Sequence, residues 1–139
     1  MQVTGRCFCG AVRFAFDHPP ITARVCWCRD CQYLSSGNAS VNAFFRTAGL
    51  TLVGATTDYV STADSGTVMR RRFCGTCGTT LFSEARDRPG YIVVRAGALD
   101  DRDLARPAST IWTASAPAWG LLHTDRPSCA GQAPALPAP

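Results

Sequence analysis

A chain of 139 residues suits one domain with a single modest core. Hydrophobic residues at 46% against 17% charged exclude a disordered body, and no apolar run nears the roughly 20 residues of a membrane-crossing helix. The formal net charge of +4 is carried by 14 arginines with no lysine. That surplus is too small and too scattered to indicate nucleic acid, although the guanidinium fork suits carboxylate or phosphate sites.

Met1-Gln2-Val3-Thr4-Gly5-Arg6 lacks the apolar segment of a signal peptide. The expected setting is cytoplasmic and reducing, where eight cysteines in paired spacings read as metal ligands rather than disulfides. The first pair, Cys7-Phe8-Cys9, leads into a strand in which Val12, Phe14 and Phe16 alternate with Ala11, Arg13 and Ala15. His18-Pro19-Pro20 ends it as a turn. Ile21, Ala23 and Val25 alternate next, in a strand that runs straight into Cys26-Trp27-Cys28-Arg29-Asp30-Cys31. A short helical turn over residues 29–34 is broken by Ser35-Ser36-Gly37-Asn38.

Residues 41–45 and 51–53 read as strands, and residues 58–62 and 67–73 as the arms of a hairpin around Ala63-Asp64-Ser65-Gly66. In the second arm Arg71 faces away from Arg70 and Arg72, the pattern of an edge strand guarded by charge. Cys74-Gly75-Thr76-Cys77-Gly78 follows, then strands at 79–83 and 91–95 separated by the turn Asp87-Arg88-Pro89-Gly90. An acidic helical turn is expected over 99–104 and a late strand over 110–113, with Trp112 and Trp119 packing the core. From Arg126 onward proline and alanine dominate, so residues 1–125 read as the domain and 126–139 as a loose or weakly docked tail. Cys129, in that tail, reads as a free thiol. Eight or nine short strands and almost no long helix make the domain mainly β.

Seven of the eight cysteines fall in three clusters, read as ligands for two metal ions, zinc above all. A zinc knuckle sets two thiolates on a tight turn, and Gly10 and Gly78 follow the pairs Cys7/Cys9 and Cys74/Cys77 where such a turn needs freedom. Joined, the two pairs make a closed, structural four-cysteine site whose binding energy is folding energy. Cys26, Cys28 and Cys31 are then left as three ligands with one open position, the arrangement of a catalytic zinc, and an all-thiolate set suits a substrate that brings sulfur. Spacing alone slightly favours the other partition, in which Cys28/Cys31 pair with Cys74/Cys77 as two CxxC motifs and leave Cys7, Cys9 and Cys26 as spectators. A redox dithiol is a third option, without the βαβ setting it usually has.

Three segments carry a resemblance: Gly5-Arg6-Cys7-Phe8-Cys9-Gly10-Ala11-Val12; Cys26 through Gln32 followed by Ser36-Gly37; and Phe73-Cys74-Gly75-Thr76-Cys77-Gly78-Thr79-Thr80-Leu81. With Gly97-Ala98-Leu99-Asp100 and Ile111-Trp112 through Pro117-Ala118-Trp119, the chain resembles the glutathione-dependent formaldehyde-activating enzyme family over residues 4–122. The resemblance implies a β-tent of short antiparallel strands with zinc knuckles. It implies structural zinc on Cys7, Cys9, Cys74 and Cys77, and catalytic zinc on Cys26, Cys28 and Cys31. The implied activity is that of a carbon–sulfur lyase forming S-hydroxymethylglutathione from glutathione and formaldehyde, with a small-molecule thiol as partner and neither nucleic acid nor membrane. Gln32, Ser36 and Gly37 follow the catalytic cluster, where a loop could touch the glutathione backbone. Trp27 stands where the family commonly has histidine; it could stack on substrate or fill the core, but it cannot carry a proton. The contrasting expectation is a non-catalytic zinc scaffold of the same fold.

Overall fold

The computed structural model describes residues 1–139. Its first strands differ from the pattern reading in one respect: the Cys7/Cys9 pair sits at the tip of a hairpin rather than ahead of a single strand. Strand β1 (Val3–Arg6) runs antiparallel to β2 (Arg13–Phe16), with Val3 opposite Phe16 and Arg6 opposite Arg13. Val3-Thr4-Gly5-Arg6 offers too little apolar alternation to announce itself, and its pairing with β2 makes it a strand. A third strand, β5 (Leu50–Val53), pairs with the other side of β2 and completes a small sheet.

The second sheet has seven strands. Its members are β3 (Thr22–Cys26), β4 (Ser40–Arg46), β6 (Thr57–Thr62), β7 (Val68–Phe73), β8 (Thr80–Ala85), β9 (Tyr91–Arg95) and β10 (Ser109–Ile111). They lie in the order β10-β3-β4-β9-β8-β7-β6. All neighbours are antiparallel except β10 and β3, which run parallel with Ile111 opposite Cys26. One short helix, α1 (Arg29–Leu34), follows β3, capped at its start by the Cys28 sulfur. The mainly β tent with thiol-bearing turns is thus the architecture expected from the sequence. In place of one acidic helical turn there are two 3-10 turns, Ala96–Ala98 and Arg102–Ala105.

Strand β7 is not the edge; it lies between β6 and β8. Its arginines are therefore paired rather than guarding an open strand. Arg70 reaches Asp58 at 2.6 Å and Glu84 at 3.3 Å, and Arg72 reaches Glu84 at 3.5 Å. Arg71 points to the opposite face, is only 8% exposed, and meets Asp30 of α1 at 3.0 Å.

The core lies where the two sheets meet. Phe16 of the small sheet stacks on Phe45 of the large one at 4.2 Å between ring centroids, and Phe14 meets Phe82 edge-on at 5.0 Å. Leu81, Ile92 and Val94 fill the space beside them, fully buried. Each such side chain contributes about 1.5–3 kcal/mol of burial. Trp119, expected inside, is 69% exposed. The turn closed by Gly120 N–H on Pro117 O at 2.8 Å brings Gly120 against Trp27 and turns Trp119 outward.

The last residues run alongside β10. Cys129 N–H donates to Thr110 O at 2.9 Å, Thr110 N–H to Pro127 O at 3.0 Å, and Trp112 N–H to Gly131 O at 3.1 Å. Further on, Tyr91 donates its hydroxyl proton to Pro137 O. The open edge of β10 is covered by these contacts.

Gly5 is the tightest point between the layers: a Cβ there would lie 2.2 Å from the Phe14 ring and 2.4 Å from the Ala98 carbonyl oxygen. Gly5→Ala is therefore expected to cost about 2–3 kcal/mol, read as a lower urea midpoint at unchanged slope.

Candidate metal centres

Two turns from different sheets bring four sulfurs together. Cys7 and Cys9 sit on the β1–β2 turn, Cys74 and Cys77 on the β7–β8 turn. Gly10 and Gly78, which follow them, have φ of +80° and +77°, a region costly for residues with a side chain. The sulfurs of Cys7 and Cys9 are 3.6 Å apart and those of Cys9 and Cys74 3.8 Å. Four sulfurs at zinc–sulfur distance around a tetrahedral centre would be ~3.8 Å apart, so the cluster has the dimensions to hold such an ion. Backbone supports it: Val12 N–H points at the Cys7 sulfur at 3.3 Å. Thr79 ties the turns together by accepting from Phe8 N–H at 3.0 Å and lying 3.1 Å from the Cys77 sulfur. The hydroxyl and backbone of Thr79 hold the Cys77 thiol down to about 5, so that it is ionised and ready to ligate. This partition also removes the competing pairing of Cys28/Cys31 with Cys74/Cys77, because the latter pair joins Cys7 and Cys9.

The second cluster is Cys26, at the end of β3, with Cys28 and Cys31, whose sulfurs all lie within 4.8 Å of one another. The first turn of α1 brings Cys31 N–H to the Cys28 sulfur at 3.4 Å. Cys26 and Cys31 are buried and Cys28 half-buried. Their acidities are driven apart. Hydrogen bonds to Cys28 and Cys31, with burial, push Cys26 far up. Cys28 goes up to about 11, where its bond with Cys26 is outweighed by the bond with Cys31 and by burial. Cys31 is held low by its bonds from Cys26 and Cys28, helped by the charge of Arg95. Three thiols this close cannot all ionise unaided, so a cation is the partner that lets them act as thiolates together.

The three-cysteine cluster forms part of a cavity wall. Arg24, Arg71, Arg88, Arg95, Phe44 and Trp112 line the same cavity, together with Asp64 and Ser65 of the β6–β7 turn and Gln132 from the C-terminal segment. Arg95 Nη1 donates to Ser40 Oγ at 3.0 Å and to Asn42 Oδ1, and lies 3.8 Å from the Cys31 sulfur. Trp112 has a φ of +58°, strained for so large a residue, and donates its indole N–H to Gln132 at 3.0 Å.

The residues expected to touch substrate lie elsewhere. Trp27 is 2% exposed, with its indole N–H buried and unpartnered. Gln32 is buried too, donating to Trp27 O at 2.7 Å and Ser115 O at 2.9 Å while accepting from Arg29 at 2.6 Å. These bonds tie α1 to Trp27, just past the end of β3, and to the segment after β10. Ser36 is exposed and Gly37 half-buried in the loop after α1; neither lines the cavity. The convergence of these arginines on one cavity went unmarked in the sequence because it depends on strand order: Arg95 faces Asn42, which faces Arg24, across three neighbouring strands.

A mainly β domain carrying a four-cysteine cluster between its sheets and a three-cysteine cluster on a cavity is a protein with two candidate metal centres. The family model for the glutathione-dependent formaldehyde-activating enzyme matches residues 2–115, and the chain belongs to that family. It is similar to the crystal structure of a Rhodobacter sphaeroides protein solved as a structural genomics target, at 27% identity and a TM-score of 0.57, over 75% of this chain and 96% of that one. No curated protein matches the sequence at a significant level.

Metal analysis should separate the two clusters. Cys74→Ser is expected to abolish one site and lower the melting temperature sharply, because that site joins the sheets. A mild chelator should strip the ion at Cys26, Cys28 and Cys31 first and leave the melting transition nearly unchanged.

Proposed function

We propose that the chain is a zinc-dependent enzyme of the carbon–sulfur lyase type, joining a small thiol such as glutathione to formaldehyde in a reducing, cytoplasmic compartment. The observation that carries this reading is the contrast between the clusters. One has four cysteines, enough to close a tetrahedral site; the other has three and forms part of the wall of a cavity. Cys26, Cys28 and Cys31 would hold the catalytic zinc, which supplies a soft Lewis-acidic centre suited to a thiolate. Cys7, Cys9, Cys74 and Cys77 would hold the structural ion.

The addition is redox-neutral. A sulfur–carbon bond forms, the carbonyl π bond opens, and the proton of the thiol ends on the new hydroxyl oxygen. Arg95 brings positive charge to within 3.8 Å of the Cys31 sulfur and so offsets the negative charge that three thiolates concentrate there. Gln32 holds the cluster in place through its bonds to Trp27 and Ser115. Trp27 fills the core behind the cluster, so proton movement falls to water and to groups at the cavity mouth, where Asp64 is the only carboxylate of the wall. A non-catalytic scaffold of this fold would have no need of a three-cysteine cluster beside a cavity.

Cys28→Ser tests the reading. The variant is expected to retain the wild-type circular dichroism spectrum and the metal of the four-cysteine cluster, while losing at least about a hundredfold in thiol–formaldehyde adduct formation. Wild-type turnover in that variant would sink the enzyme reading.

A further inference from the structure

Around the three-cysteine cluster the charges do not balance. Four arginines line the cavity against a single carboxylate, Asp64, which is exposed. Two of the four have work inside the protein. Arg71 meets Asp30 at 3.0 Å and Ser61 at 2.6 Å, and Arg95 is bound to Ser40 and Asn42 beside Cys31. The other two do not. Arg24 is without an acidic partner, and its side chain makes one long bond, to Pro134 O at 3.4 Å. Arg88 has only Asp87, at 3.9 Å, a side chain 63% exposed and of little weight.

Arg24 and Arg88 share one ring. Their guanidinium carbons lie 5.1 Å and 6.0 Å from the centroid of buried Phe44, which holds both side chains against the cavity. Two like charges on one ring repel each other, and an anion beside them would relieve that repulsion. The planar fork of each is mostly unfilled, and a carboxylate is the acceptor it matches best.

The geometry points to Arg24 and Arg88 as an anion clamp that selects a carboxylate-bearing thiol, binding the carboxylate against Phe44 while the sulfur faces Cys26, Cys28 and Cys31. Arg24 and Arg88 are thus the residues that set the preference among thiols, and neutral and cationic thiols are disfavoured. For the sulfur this rests on the enzyme reading above; for the anion it rests on the arginines alone.

Two measurements keep those parts distinct. On the zinc-loaded protein, succinate should shift the side-chain N–H resonances of Arg24 and Arg88, and R24Q should abolish the shift at Arg88. On the cobalt-substituted protein, mercaptopropionate should perturb the visible spectrum at a concentration at least about tenfold lower than mercaptoethanol, with cysteamine weaker still. R24Q and R88Q should bring the three thiols together. Succinate that leaves both arginines unmoved, or three thiols that bind the wild type equally, would overturn the clamp while leaving the thiol reading intact. No spectral response to any thiol, with succinate still shifting both arginines, would overturn the thiol reading and uphold the clamp.

Discussion

The convergence of four sulfurs between two turns is the constraint on which the rest of this structure depends. The Cys7/Cys9 turn belongs to the three-stranded sheet and the Cys74/Cys77 turn to the seven-stranded one. Holding them within bonding distance of one centre fixes the angle of the tent. The aromatic contacts of Phe14, Phe16, Phe45 and Phe82 then close beneath it at favourable distances. Thr79 adds a direct hydrogen bond between the turns, so the junction has a non-metal component as well.

Electrostatics at the second cluster follow a different logic. Thiolates there are crowded, partly buried and close to Arg95. Arginine and a divalent cation together can neutralise most of what three thiolates carry. Little net charge is then left at the sulfurs, and the positive surplus of the cavity wall lies on Arg24 and Arg88. A wall charged in that way suits a ligand that carries both an anionic group and sulfur.

Much of this was legible in the sequence, and the physical reason is the range of the signal. Knuckles announce themselves locally, because two thiols and a glycine at positive φ must be close in the chain; Gly10 and Gly78 did so. Alternation marked β2 and β3, and β-prone runs bounded by turn residues marked β4 and β6 to β9. What the sequence concealed was decided across strands. Strand β1 takes its identity from a partner ten residues on, and β7 is interior because β6 lies outside it. The same holds for the cavity: nothing near Arg95 in the sequence says that it meets Cys31. Trp119 shows the limit of composition, since a tryptophan beside proline and glycine is turned out by the local backbone whatever its hydrophobicity.

The pairing of β10 with β3 has a consequence for the order of assembly. Cys26 and Cys31 leave the ribosome early, yet the strand beside them, the strained Trp112 and the Gln132 that binds its indole are made about a hundred residues later. At ordinary rates of synthesis that is a wait of ~5–20 s. During that interval the three thiols stand on an unfinished edge, open to oxidation and to the wrong metal. The sulfurs of Cys7 and Cys9 likewise wait for Cys74 and Cys77. The nascent chain therefore depends on the reducing capacity and metal supply of its surroundings before the finished fold can protect either centre.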